Sequence, residues 1–180
     1  MDAEELLRRY QAGERDFTGV NLVRVKLKNV TLADAILTRS NLYGVKLNEV
    51  NLRVTQLDDA NLGKAELDEV DLRNANLTRV CLNEAYLIRV DLSQANLREA
   101  DLREAVLTKA DMKMADLSHS LLYQAELIDT DLSYATIREA DLQAASLENT
   151  NLKGADMTGA NLEETKMRNV NLEDAILDGF

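Results

Sequence analysis

From Phe17 to Leu177 a large apolar residue returns at every fifth position without a break. The stretch ANLREADLREAVL shows the pattern, with leucine at 97, 102 and 107 and alanine at 95, 100 and 105. Leucine holds the large position everywhere except at Phe17, Met112, Ile137, Met157 and Met167. Two residues before each comes a small one, and from Val20 to Ala175 it is only Ala, Val, Ser or Thr. The remaining three positions are mostly polar. Thirty-three units in one register are an internal repeat and have to be read as such before any secondary structure is assigned.

Neither common backbone period accounts for this spacing. On an α-helix five residues turn through about 500°, which scatters the leucines around the axis. On a flat strand, leucines five apart point in and out by turns. The chain must bend once per unit, bringing each leucine back to a common axis. Stacked coils of this kind make a solenoid whose strand-like backbone bonds from coil to coil.

The units resemble those of the pentapeptide-repeat family, A(D/N)LXX, as in Ala100-Asp-Leu-Arg-Glu104. The resemblance covers about nine-tenths of the chain and is close to that of cyanobacterial members. It implies an all-β, right-handed quadrilateral β-helix with four units, or 20 residues, per coil. Thirty-three units then give about eight coils, a rod of roughly 40 Å at ~4.8 Å per coil. Leucine and the small residue fill the narrow interior. The expected organisation is an N-terminal capping helix in residues 1–14 and the β-helix in residues 15–180.

Asp2 to Gln11 reads as the capping helix, with Asp2 as N-cap and Gly13 just past the end. Leu6, Leu7 and Tyr10 share a face suited to covering the first coil. ELLRRYQAGERDF resembles the opening helix of family members. At the other end the repeat stops at Leu177 with no capping helix. Either Phe180 folds back over the last coil, or Leu177 and Phe180 meet another molecule, as in an end-to-end homodimer.

Composition narrows the function. The net charge of −11 disfavours a direct nucleic-acid ligand. Cys81 is the only cysteine, so no internal disulfide forms. No run approaches the ~20 apolar residues of a membrane span, and a cytoplasmic location is the default. The one histidine, His119, and Cys81 fall on different walls about two coils apart, too far for a dyad. Zinc spacing, a phosphate loop and the calcium-binding nonapeptide are missing. The sequence predicts no enzyme, no metal and no cofactor.

Function is left to the outward positions. Before the leucine, positions ending in 1 carry Asp or Asn in 13 of 16 cases, but positions ending in 6 in only 5 of 17. Alternate units lie on opposite walls, so two walls are regular and two are free to vary. Most of these Asp and Asn residues are expected to bond nearby backbone N–H groups. One regular wall stacks an acidic ladder, Asp71, Asp91, Asp111 and Asp131, with Arg53, Arg73, Lys113 and Lys153 two residues after members of its column. A variable wall holds Tyr86, Ile88, Val106 and Ile128, a candidate protein-binding patch, with Leu121, Tyr123 and Cys81 as weaker additions on the next wall.

The reading that follows is a non-enzymatic, rigid protein-binding solenoid, a scaffold or regulator, with an unidentified protein partner. The alternative is a DNA mimic of the kind that binds DNA gyrase. A duplex of ~40 Å carries about 24 charges, well above this net charge. An ice- or mineral-binding array is weaker still, because Asp58, Arg98 and Arg138 interrupt the threonine column at 18, 38, 78 and 158.

Overall fold

Each unit places one large and one small side chain inside, and the backbone corners between them close into a square. The structure, a computed structural model, describes residues 1–178. Every bridge between coils is parallel and joins residue i to residue i+20, as in Asn51 to Asp71 and Asp156 to Ile176. Four units therefore make one turn of a right-handed quadrilateral β-helix. Its walls are named by the core residue of the first coil: Phe17 for the first, Leu22 for the second, Leu27 for the third and Leu32 for the fourth.

Most walls are turns rather than strands. In a typical unit Leu22 N–H donates to Asn41 O at 2.7 Å, and Arg24 N–H donates to Tyr43 O at 2.9 Å. Val25 N–H then closes the turn on Leu22 O at 3.0 Å. The second residue after leucine takes a positive φ in nearly every coil, as at Arg24 (56°), Glu69 (54°) and Tyr134 (59°). For a non-glycine residue that conformation costs about 1–2 kcal/mol, and the coil-to-coil hydrogen bond from the same residue offsets it. The ladder imposes positive φ on almost any residue, not on glycine alone.

Every Asp or Asn placed just before the large residue uses Oδ1 to accept the N–H two residues on, from Asp16 to Asn171. Examples are Asn21 with Val23 (3.2 Å), Asp91 with Ser93 (3.0 Å) and Asp156 with Thr158 (3.0 Å). This Asx bond props the turn and is the physical reason for the D/N preference.

The third wall departs from the rule. Lys26–Lys28 (β1), Lys46–Asn48 (β2), Glu66–Asp68 (β3) and Tyr86–Ile88 (β4) are three-residue strands in one parallel sheet of order β1-β2-β3-β4. No Asp or Asn precedes their leucines, and their corner residues are Val30, Val50, Val70 and Val90. None of these valine N–H groups donates to the leucine carbonyl three residues back, unlike Val25 or Ala75. Valine corners that do have an Asx residue upstream (Val20, Val25, Val45 and Val80) keep the turn. Corners with Ala or Ser keep it without one, as Ala110 does, whereas of the two threonine corners in that setting Thr150 keeps it and Thr130 does not. The stiff, apolar valine corner therefore opens the turn into a strand when no Asx bond opposes it.

The core is a column of leucines and corner alanines or valines, nearly all under 6% exposed. Polar corners are satisfied locally. Thr130 and Thr150 hydroxyls donate to Leu107 O and Leu127 O of the previous coil, each at 2.6 Å. Among the described residues no buried side-chain nitrogen or oxygen lacks a partner.

Ala3–Gln11 forms α1, capped by Asp2, whose Oδ1 accepts Glu5 N–H at 2.8 Å. Leu6 is fully buried, and Leu7 and Tyr10 pack half-buried against the same core. Tyr10 Oη donates to Ala33 O at 2.9 Å, tying α1 to the first coil. At the other end Met167, Leu172 and Leu177 are each more than a third exposed. Phe180 lies outside the described residues.

Candidate protein-binding surface

On the strand wall, side chains alternate: each leucine turns inward, while the residues before and after it both face out. Stacking then makes two ridges along the rod axis, one led by Lys26 and Lys46, the other by Lys28 and Asn48. Between them runs a trough. One concavity of about 380 Å³ is floored by Leu27 and Leu47. A second, of about 580 Å³, is floored by Leu67 and lined by Tyr86, Ile88 and Arg89.

The four apolar residues expected as a patch do fall on this wall, but unequally. Tyr86 is 54% exposed. Val106 pairs directly with Tyr86 in the next coil and is half-buried, as are Ile88 and Ile128. Ile88 and Ile128 are separated by Thr108 in their column. The patch is thus one projecting ring with a low apolar shoulder, smaller than the sequence suggests, because the strand and turn backbones flank the branched side chains.

The charges around the trough are largely paired within the wall. Lys46 Nζ lies 2.6 Å from Glu66, and Arg89 reaches both Asp68 (2.6 Å) and Glu69 (2.9 Å). Lys26, Lys28 and Arg24, at the N-terminal end, are exposed and have no carboxylate within 4.0 Å among the described residues.

On the fourth wall the acidic column stacks as expected through Asn51, Asp71, Asp91, Asp111, Asp131, Asn151 and Asn171. Two of the four expected cations serve it. Arg73 bridges Asp71 (2.6 Å) and Asp91 (3.4 Å), and Lys113 bridges Asp111 (3.1 Å) and Asp131 (3.4 Å). Lys153 turns instead to Glu173 at 3.0 Å, and Arg53 has no carboxylate within 4.0 Å among the described residues. Burial disfavours the Asp71 carboxylate, but the bonds from the Arg73 side chain and N–H outweigh it and hold the carboxyl below its usual range. Asp131 is held down in the same way, against burial, by Ser133, Asn151 and Lys113. These acids are half-buried and committed to the wall that carries them.

Sequence reasoning missed one exposed pair. Met114 (60% exposed) and Tyr134 (59%) are stacked in adjacent coils at the corner after the fourth wall. Reading the second residue after leucine down that wall, where Val54 also lies exposed, reveals them. Leu121 and Tyr123 are exposed on the second wall, and Cys81, two coils earlier with Asp101 between, donates its thiol to Asn83 Oδ1 at 2.8 Å. His119 Nδ1 lies 3.4 Å from Glu139. Among the described residues no group of three or more His, Cys, Asp or Glu is placed to hold a metal ion, and no helix is long and apolar enough to cross a membrane.

Residues 16–53, 55–94, 85–122, 115–148 and 137–174 match the family model described as pentapeptide repeats, in 8 copies. The chain is similar to HetL, a pentapeptide repeat protein involved in heterocyst differentiation regulation, from the cyanobacterium Nostoc sp. strain PCC 7120. The TM-score is 0.70 at 31% identity, covering 98% of this chain and 95% of HetL. A second Nostoc pentapeptide repeat protein, alr5209, is 33% identical with a TM-score of 0.35, covering 64% of this chain and 80% of its own. An uncharacterised Synechocystis protein, slr1851, is 57% identical over 37 residues. That match spans 21% of this chain and only 23% of slr1851. With an unbroken five-residue register, a 20-residue coil and matches along nearly its whole length, the chain belongs to the pentapeptide-repeat family.

Proposed function

We propose that the chain is a non-catalytic protein-binding rod whose docking surface is the third wall around Tyr86. The observation that carries this reading is the projection of Tyr86, 54% exposed, at the far end of a trough on the wall that opens into strands. A large aromatic ring standing beside a low apolar shoulder is the usual anchor of a protein interface. HetL, similar over almost the whole chain, is involved in heterocyst differentiation regulation, and a regulatory role exercised through protein contact fits a rod whose described residues bring no catalytic groups together.

The DNA-mimic reading is disfavoured by the fourth wall. Its acidic column carries Arg73 and Lys113 within it, each spanning two aspartates, so the uniform negative edge that a mimic needs is broken. The exposed Met167, Leu172 and Leu177 support an additional end contact with another molecule, which sedimentation at several concentrations tests.

The test is affinity capture from an extract of the source cells, comparing wild type with Tyr86→Ala/Ile88→Ala. A specific partner retained by wild type and lost by the variant supports the assignment; retention of every partner at wild-type level overturns it.

A further inference from the structure

The trough on the third wall has a polarity along the rod. At its N-terminal end Lys26 and Lys28 head the two ridges, with Arg24 at the neighbouring corner, all exposed and without a carboxylate partner among the described residues. In the middle, Glu66 pairs with Lys46 while Arg89 alone serves both Asp68 and Glu69, which leaves one carboxylate in excess. At the far end stand Tyr86 and Val106. Along the stretch from β1 to β4 the unspent interactions are therefore cationic at one end and apolar at the other, while Lys109, Lys166 and Arg168 lie further along the same wall. Three coils separate them, about 14 Å at ~4.8 Å per coil.

We propose that this trough takes an extended protein segment that is acidic at one end and carries a bulky apolar side chain about four residues away. Its carboxylates would meet Lys26 and Lys28, and its apolar side chain would pack on Tyr86 and Val106. The four-residue spacing follows from ~3.3 Å per extended residue. Docking proceeds through side chains, because the wall's own ladder already joins β1 to β4 along the trough. A nucleic acid fits less well: it carries a phosphate at every step and would have to cross Glu66, Asp68 and Glu69 on a protein of net charge −11. This inference rests on the assignment of the third wall as the docking surface.

The experiment uses the full chain and fluorescein-labelled ten-residue peptides with a triple-glutamate block and a Phe-Leu block four residues apart, made in both block orders. A scrambled peptide of the same composition and a short single-stranded oligonucleotide serve as competitors, and binding is read by anisotropy at low salt. The expected result is that one block order binds at least tenfold more tightly than the scrambled peptide. Lys26→Glu/Lys28→Glu and Tyr86→Ala should each weaken it tenfold or more, with unchanged circular dichroism and melting. Equal binding of ordered and scrambled peptides, no effect of the lysine reversals, or tighter binding of the oligonucleotide each overturns the proposal. If the lysine reversals do nothing while Tyr86→Ala/Ile88→Ala still abolishes partner capture, this inference falls and the docking wall stands. If Tyr86 is silent in both assays, both fall.

Discussion

The ring of Tyr134 lies over Gly154, its neighbour one coil further along the rod. A Cβ built on Gly154 would fall 2.7 Å from Cδ1 and Cε1 of that ring. The glycine is needed twice, once for its φ of +65° and once for the space the tyrosine occupies. Gly19 has a similar φ of +68° but nothing within 4 Å of a built Cβ, so it isolates the backbone share. Gly19→Ala should destabilise by about 1–2 kcal/mol. Gly154→Ala should cost more, and the excess should vanish in a Tyr134→Ala background. A double-mutant cycle by urea unfolding should return a coupling of roughly 0.5–3 kcal/mol between 134 and 154. A coupling near zero would show that the ring does not rest on the glycine.

The strand wall should be convertible. Glu66→Asn supplies the missing Asx acceptor upstream of Val70, and Val70→Ala removes the branched corner. Either change should restore a hydrogen bond from the residue-70 N–H to Leu67 O, as seen from Ala75 to Leu72 at 3.1 Å. Through-hydrogen-bond couplings by NMR report this directly. Wild type should show no such coupling at Val50, Val70 or Val90; a coupling there would contradict the division into turn and strand walls.

The carboxylates of the turn walls set the acid limit of stability. Asp101 is held down first by its side-chain bonds from Arg103, and Asp71 and Asp131 by partners that outweigh their burial. Their folded-state values lie below the ordinary 3.8, so unfolded chains bind protons more readily. The contribution is fully present above about pH 4 and is lost as the pH falls through the folded values. Stability should therefore be flat from neutral pH to about pH 5 and drop below about pH 4. Asp71→Asn and Asp101→Asn should make the drop shallower, measured as melting temperature against pH.

The interior should respond to volume changes of either sign. Leu102 and Ala100 are both 0% exposed. Leu102→Ala should cost about 2–5 kcal/mol through lost burial and the cavity left behind. Ala100→Leu should cost about 1–3 kcal/mol, because four large side chains already fill the level. Denaturant unfolding checks both, and a neutral Ala100→Leu would mean that the tube is wider than the structure shows.

Much of this architecture was legible because a fixed period binds volume and direction together. Leucine at 97, 102 and 107 and alanine between them leave one closed path, and the family resemblance supplied its four corners. The Asx role of residues such as Asp91 was readable from their position before leucine. The strand wall was not, because it depends on a conjunction: valine at 30, 50, 70 and 90 matters only where no Asp or Asn precedes the leucine. The surface was partly legible. Tyr86 stands out as expected, whereas Ile88, Val106 and Ile128 sink between backbone and neighbours, which only the coil packing decides. Met114 and Tyr134 escaped notice because they occupy the left-handed turn position, which is polar in most units. Arg53 and Lys153 show the same limit for charge: a place in the column does not fix where a long side chain reaches.

The most direct test of the docking wall is site-specific photocrosslinking in source cells, with a benzoylphenylalanine at position 86, 106 or 134. The rod bound through its strand wall should give the same crosslinked partner from 86 and 106 and none from 134. A partner captured from 134 alone, or equally from all three positions, would contradict the assignment.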